Sequence, residues 1–189
     1  MDLSKRIFDL VLAITLLLIC ILPGIFIMIL IRIYSGSPAI YWSQRIGRGN
    51  AAFMMPKFRS MKLDTPVLAT NLLSNPDNYL TPIGKVLRQT SLDELPQLWS
   101  IFKGDMSFVG PRPALFNQIE LITLRSEYGV QDLVPGLTGW AQVNGRDEVS
   151  LSLKVNLDRE YLQKRSMFFD LKILLKTFII IFHGKGVSH

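Results

Sequence analysis

The chain has 189 residues, 49% of them hydrophobic, and a formal net charge of +6. Its mean hydropathy is +0.28. That length suits one domain with a modest core, and that hydropathy is too high for an ordinary soluble domain. Cys20 is the only cysteine and His183 and His189 the only histidines, which excludes a disulfide framework, a cysteine zinc site, a plausible thiol nucleophile, a Ser-His-Asp hydrolase and a His-rich metal site.

Any catalysis must therefore rest on carboxylates and cations. The apolar residues gather at the two ends of the chain and point to membrane contact at both. Residues 10–31 form a stretch of 22 residues without a charge, interrupted by Pro23-Gly24. A helix of that length reaches across a bilayer, and a proline inside it removes a backbone hydrogen bond and bends it. The stretch is too long for the core of a signal peptide, and no small-residue cleavage site follows it. Two arrangements remain: a kinked spanning helix, or a hairpin that enters and leaves on one face. Lys5 and Arg6 before it and Arg32 after it fit both ends being cytoplasmic. The rarity of re-entrant segments favours spanning.

Between Tyr41 and Lys62 stand five basic residues, Arg45, Arg48, Lys57, Arg59 and Lys62, and no acid. Such a patch suits phosphate-bearing partners. The apolar segment beside it favours anionic lipid or a nucleotide substrate over nucleic acid. The stretches 39–46 and 52–58 around Gly47-Arg48-Gly49-Asn50 predict a hairpin. Lys57 and Arg59 then share one side of a strand, facing a nucleotide or solvent. The polar stretch 63–80 predicts a mobile loop. Helices are predicted over 82–89, 92–103, 114–128 and 150–164, with Gly104 stopping the second. Two loops are expected around Gly110-Pro111-Arg112-Pro113 and Pro135-Gly136-Leu137-Thr138-Gly139, and a third at Asn144-Gly145-Arg146-Asp147. Residues 167–182 predict an apolar helix carrying Lys172 and Lys176, either lying in the membrane interface or packed on the core.

The sharpest local signal is Ser91-Leu92-Asp93-Glu94. Its plainest meaning is a capping box, with Ser91 at the N-cap and Glu94 three residues on. The same geometry also suits chemistry. A carboxylate in a first turn is held ionised by the positive helix end, and an ionised Asp93 can attack phosphorus to give an acyl phosphate. Glu94 can help to hold a hard divalent cation; oxygen ligands indicate Mg²⁺. Arg88, Arg112 and Arg146 supply guanidinium forks for phosphate oxygens, or surface salt bridges. The prolines on either side of Arg112 restrict its backbone. No Gly-x-Gly-x-x-Gly or Walker-type loop is present, and no aromatic platform for nucleic acid is evident.

Six motifs resemble, in order, those of the bacterial sugar transferases, the monotopic phosphoglycosyl transferases. They are Lys5-Arg6-Ile7-Phe8-Asp9, residues 57–61, residues 91–97, residues 103–113, residues 135–146 and Asp170-Leu171-Lys172. The resemblance implies transfer of a sugar-1-phosphate from a UDP-sugar to polyprenyl (undecaprenyl) phosphate, releasing UMP, with Mg²⁺. It implies a covalent phosphosugar on Asp93, with Glu94 as the other half of the dyad and both carboxylates near the metal. Lys57, Arg59, Arg88, Arg112, Gln142, Arg146 and Asp158 fall at the positions it implies for substrate and phosphate binding. The rivals are direct attack of the acceptor in a ternary complex, and a non-enzymatic module that binds anionic lipid.

The resemblance also replaces the spanning helix with a re-entrant one. The implied fold is α+β and mostly helical: a proline-kinked re-entrant membrane helix over 1–33, a small β-hairpin, and interfacial amphipathic helices around a cytoplasmic catalytic core over 34–189, with a C-terminal interface helix at about 166–183. The implied location is the cytoplasmic face of a bacterial inner membrane, as in the minimal members that lack a further N-terminal membrane domain. The break here is Leu22-Pro23, where the best-known small members carry Ser-Pro. A serine hydroxyl can satisfy backbone groups freed at a bend, and Leu22 cannot.

Overall fold

A computed structural model of the protein describes residues 2–68, 72–145 and 150–183. Helix α1 runs from Leu3 to Ser35, with Pro23 inside it. It is the one helix among the described residues long and apolar enough to cross a membrane. Gly36, at φ 74°, ends it, a conformation that costs glycine little. The Arg59 guanidinium then gathers the carbonyls of Ser35, Gly36 and Ser37, the last two at 2.6 and 3.0 Å.

Both halves of α1 pack on the same body. Toward its N-terminus, Ala13 is buried among Leu98, Ile101, Met106 and Ile173, with Leu12, Leu16 and Leu17 beside it. Toward its C-terminus, Ile27 and Ile31 join Ala39, Phe58 and Leu87. The remaining surface is apolar and uncovered; Leu22 is 75% exposed and Leu18 is 70% exposed. A helix apolar all round belongs in a large core or in lipid.

Strands β1 (Ile40–Ile46) and β2 (Ala52–Phe58) pair antiparallel, from Ile40 opposite Phe58 to Ile46 opposite Ala52. This is the expected hairpin. Pro56 is tolerated because β2 is an edge strand. Beyond Gly84–Gln89 (α2) and Gln97–Lys103 (α3) come β3 (Ser107–Val109), β4 (Ala114–Leu115), α4 (Ile119–Glu127), β5 (Gly136–Thr138), α5 (Trp140–Val143), α6 (Leu151–Lys164) and α7 (Met167–His183). Strand β4 joins the free edge of β1, and β3 pairs parallel to β5. The chain is thus α+β and mostly helical, as expected.

Several boundaries differ from expectation. The helix predicted over 92–103 is divided into a 3₁₀ turn at Leu92–Glu94 and α3. A helix begun at Leu92 would need a hydrogen bond from the nitrogen of Pro96, which has no proton, so the helix restarts there. The helix predicted from 114 begins at Ile119, because Ala114 and Leu115 are taken by the sheet. The loop at 63–80 contains a 3₁₀ turn at Pro76–Tyr79 and a bridge from Met61 to Leu80 at its base. Helix α6 starts as predicted, with Ser150 accepting from the Leu153 amide at 3.3 Å.

The two long motifs meet at β3 and β5. Gly110 N donates to Thr138 O and Gly136 N to Pro111 O, each at 2.9 Å. A Cβ on Gly136 would stand 2.1 Å from Gly110 N, and one on Gly139 2.1 Å from Gly110 O. Glycine is required because two backbones touch where a side chain would be. This close approach positions the loop that carries Arg112.

Candidate active site

Asp93 lies in the 3₁₀ turn and is 7% exposed. Ser91, at φ 56°, is one of three non-glycine residues at positive φ among those described, and it turns the chain sharply between α2 and Asp93. The expected capping box is absent. Ser91 makes no side-chain cap bond, and Glu94 reaches outward instead. Its Oε1 accepts from Lys57 Nζ at 2.8 Å and from Arg112 Nη2 at 2.9 Å. A three-residue turn offers little macrodipole, so burial governs Asp93.

Burial pushes the Asp93 carboxyl above the ordinary carboxylate range; Glu94 pushes the same way, while Lys57, Arg88 and Arg112 oppose it. Burial acts on Glu94 too, but there the charges and hydrogen bonds of Lys57 and Arg112 prevail and hold it well below the usual range. The dyad thus consists of an anion fixed by two cations and a neighbour whose charge is costly.

The loop at Arg112 is held from two sides. Arg125 Nη1 donates to Arg112 O at 2.8 Å, and Arg45 Nη1 to Pro113 O at 3.2 Å. Arg125 is itself fixed by Asp158 Oδ2, which accepts from its Nε at 2.9 Å and its Nη2 at 2.6 Å. Arg45 has no carboxylate partner among the described residues. Burial, with Arg112 nearby, pushes its guanidinium down to about 10.

These groups line a cavity of about 680 Å³, within the range of small-molecule sites. Asp93, Glu94, Lys57, Arg88, Arg112 and Gln142 stand on its wall. The carboxamide O and N of Gln142 are both buried without a hydrogen-bond partner, so this side chain has unmet capacity beside the cavity.

Two predicted ligands occupy other positions. Arg59 also borders the cavity, but its guanidinium nitrogens close the C-terminus of α1. The strand alternation that paired it with Lys57 ends at Phe58, the last residue of β2. Asp158 is 1% exposed and spent on Arg125. Arg146 lies outside the described residues. Arg45 was not among the predicted ligands, although it belongs to the basic patch and shares a face of β1 with Ser43, to which its Nε donates at 3.0 Å.

Among the described residues, no three His, Cys, Asp or Glu side chains form a ready cage for a metal. Mg²⁺ asks for less: one or two carboxylates, with water and substrate phosphates completing the shell. Adjacent carboxylates on a cavity wall, one of them pushed up by burial, are a donor set that fits it.

A family model described as "Bacterial sugar transferase" matches residues 1–184. The chain is 40% identical over 185 residues to the "Uncharacterized sugar transferase EpsL" of Bacillus subtilis (strain 168), covering 97% of this chain and 90% of that one. It is 36% identical over 198 residues to the "Exopolysaccharide production protein ExoY" of Rhizobium meliloti (strain 1021), covering 97% and 87%. It is also 39% identical over 191 residues to the "UDP-glucose:undecaprenyl-phosphate glucose-1-phosphate transferase" of Escherichia coli (strain K12); there it covers 96% of this chain and 40% of the longer relative.

Proposed function

The chain belongs to the bacterial sugar transferase family, and on that premise we propose that it moves a sugar-1-phosphate from a UDP-sugar to polyprenyl phosphate on the cytoplasmic face of the membrane. The observation that carries this reading is a buried Asp93 beside a Glu94 already neutralised by Lys57 and Arg112, on the wall of a large cationic cavity.

An Asp93 oxygen attacks the sugar-linked phosphorus of the UDP-sugar. The bond from that phosphorus to the bridging oxygen breaks, UMP leaves, and the sugar phosphate remains as an acyl phosphate. An oxygen of the polyprenyl phosphate then attacks the same phosphorus, the bond to Asp93 breaks, and the carboxylate returns. Desolvation makes the ionised Asp93 a better nucleophile than a hydrated one. Arg112, Lys57 and Arg88 offset charge on the phosphoryl oxygens in both steps. Glu94 fixes the direction of Arg112 and Lys57. Asp93 and Glu94 would hold Mg²⁺, which when bound supplies further charge neutralisation at the diphosphate.

Direct attack by the acceptor would leave Asp93 without a covalent role. A lipid-binding module would have no use for a buried carboxylate among phosphate-seeking cations. The test is a screen of UDP-sugars with the purified protein and undecaprenyl phosphate, measuring UMP. Release of UMP before acceptor is added supports the adduct; release only with acceptor overturns it; no release from any UDP-sugar overturns the enzyme reading.

Both halves of α1 rest on one body, which supports a re-entrant helix over a spanning one. Helix α7 supplies a second apolar surface, with Phe168, Leu175 and Phe178 exposed. Lys172 and Lys176 stand over the Trp140 ring at 5.9 and 4.6 Å, at the level where headgroups would lie.

A further inference from the structure

Asp9 of α1 is fully buried, one turn before Ala13 on the face of the helix that enters the core. Its Oδ1 accepts from the Phe108 amide of β3 at 3.2 Å, and its Oδ2 is buried with no hydrogen-bond partner. A buried carboxyl so thinly bonded is a poor source of stability. What it does supply is an acceptor for a strand amide. The next residue of β3 is met in a similar way. The Tyr161 hydroxyl of α6 donates to Val109 O at 3.2 Å and to Asp170 Oδ1 at 2.7 Å, one proton shared between two acceptors. Asp170 of α7 is paired through its other oxygen with Lys5 of α1. Side chains of α1 and α6 thus meet β3 directly, with α7 behind them, while β5 holds the strand through its backbone.

Arg112 follows β3 by three residues, and the chain between them has no slack. Gly110 N donates to Thr138 O and Gly136 N to Pro111 O. A Cβ on Gly110 would stand 2.4 Å from Val134 O, and Pro111 fixes its own φ. A shift of β3 is therefore passed on to Arg112 rather than absorbed. We propose that Asp9 and Tyr161 are positioning residues for the transfer reaction, which set the place of β3 and, through it, the place of Arg112. The proposal rests on Arg112 contacting phosphate. Neither Asp9 nor Tyr161 stands on the cavity wall, so each acts through the backbone and touches no substrate. Arg125 and Arg45 hold the loop after β3 by the carbonyls of Arg112 and Pro113. Asp9 and Tyr161 hold the strand before it.

Amide hydrogen exchange, followed residue by residue in the full-length protein in nanodiscs without substrate, tests the link to the loop. Asp9→Ala should speed exchange about tenfold, the worth of one hydrogen bond, at Phe108 and also at Gly136, whose amide bonds Pro111 O across the sheet. Asp9→Asn keeps an oxygen acceptor and should exchange like the native chain. The link to phosphate is tested by kcat/KM for UMP release from a UDP-sugar that the native chain accepts. There Asp9→Ala should cost about tenfold and Tyr161→Phe about threefold. In an Arg112→Lys background, where the fork they aim is already gone, each should cost less than about twofold. Asp9→Asn should recover most of the kcat lost in Asp9→Ala. Faster exchange at Phe108 with Gly136 unchanged overturns transmission to the loop, and equal losses in both Arg112 backgrounds overturn the positioning role. Tyr161→Phe removes one oxygen and leaves the ring in the core, so the test stands even if Asp9→Ala fails to fold. Exchange needs no turnover, so it succeeds or fails independently of UMP release.

Discussion

The guanidinium of Arg125 donates to the backbone carbonyl of Arg112 at 2.8 Å, so a buried side chain on α4 sets the position of an arginine on the cavity wall. Its other edge is fixed by Asp158 on α6. On the proposed function, Asp158 would be a positioning residue, acting through Arg125 on the place of Arg112. Burial pushes its carboxyl up, and Arg125 opposes the shift. Asp158→Asn leaves a buried guanidinium without its anion, a loss of about 3–5 kcal/mol for pairs of this kind. The expected outcome is a lower melting temperature together with a kcat that falls more than the UDP-sugar KM rises. Asp158→Glu should recover part of the kcat. A variant that loses stability but keeps kcat would reduce the pair to scaffolding.

Arg112 shares the Glu94 Oε1 with Lys57, and the prolines around it and the two carbonyl contacts restrict its backbone. A lysine there keeps the charge but loses the planar fork. Arg112→Lys should lower kcat/KM by about 10–100-fold, the scale of one charge-assisted hydrogen bond at roughly 1.5–3 kcal/mol. Its fold should be unchanged, since the side chain is part-exposed. Wild-type kinetics in Arg112→Ala would remove Arg112 from the phosphate site.

Asp93→Asn should abolish turnover, by at least about 10³-fold on the scale seen for lost nucleophiles, while stability holds or rises. The second half follows from the sign of the shift. Burial outweighs the nearby cations in raising the Asp93 carboxyl, so its charge costs the folded state above that pKa, and an amide of the same shape is relieved of it. Glu94→Gln should be impaired for a different reason: Lys57 and Arg112 lose the anion that aligns them. Mass spectrometry of protein quenched after mixing with an accepted UDP-sugar should show a sugar-phosphate adduct in the native chain and none in Asp93→Asn. An adduct on any other residue would displace Asp93 from its role.

The pH dependence of the first step follows from the same environment. The nucleophile must be ionised, so UMP release falls as pH drops through the Asp93 pKa. Because burial raises that pKa in the metal-free protein, the Asp93 carboxyl should titrate above about 4, the ordinary aspartate value, without Mg²⁺, and Mg²⁺ held there should move the acid limb of kcat/KM down. Glu94, held low by Lys57 and Arg112, should add no second limb in that range. Measuring UMP release rather than lipid product keeps the titration of the acceptor's phosphate out of the profile. Titration of Asp93 at or below about pH 4 without Mg²⁺ would mean that the cations, and not burial, control it.

Much of this site is legible in the sequence because its chemistry is local. Asp93 and Glu94 are adjacent in a turn, and the Pro-Arg-Pro loop announces itself by composition. The hairpin around Gly49 and the start of α6 at residue 150 follow from turn chemistry and local pattern within a few residues. Long-range arrangements are not legible in this way. Three-residue strands such as β3 and β5 have no usable period, and their glycines make sense only once the two backbones touch. Ser91-x-x-Glu94 has the spacing of a capping box, yet Lys57 and Arg112, 37 and 18 residues from Glu94, compete for the glutamate and win. Arg59 beside Lys57 reads as a second phosphate ligand until α1 brings three carbonyls to it.

The arrangement of α1 gives the last prediction. At about 1.5 Å per residue its 33 residues extend for about 50 Å. Arg6 at its start donates to Ile101 O and Phe102 O, at 2.7 and 2.8 Å, and Lys5 pairs with Asp170. Arg59 holds its far end. A helix crossing the bilayer would carry these two sets of contacts to opposite faces, and one body cannot serve both without lying in the hydrocarbon. The expected topology therefore has Lys5 and the chain after Arg32 on the same, cytoplasmic side, with Asp93 near headgroup level. The measurement is labelling of Asp2→Cys in a Cys20→Ser background, using a maleimide that does not cross membranes. Intact cells should show no labelling, and opened cells full labelling. Pro23→Leu restores the missing backbone donor, favours a straight helix, and should raise the fraction labelled from outside. Labelling of residue 2 in intact cells with Pro23 in place would mean a spanning helix and would separate the contacts of Arg6 from those of Arg59.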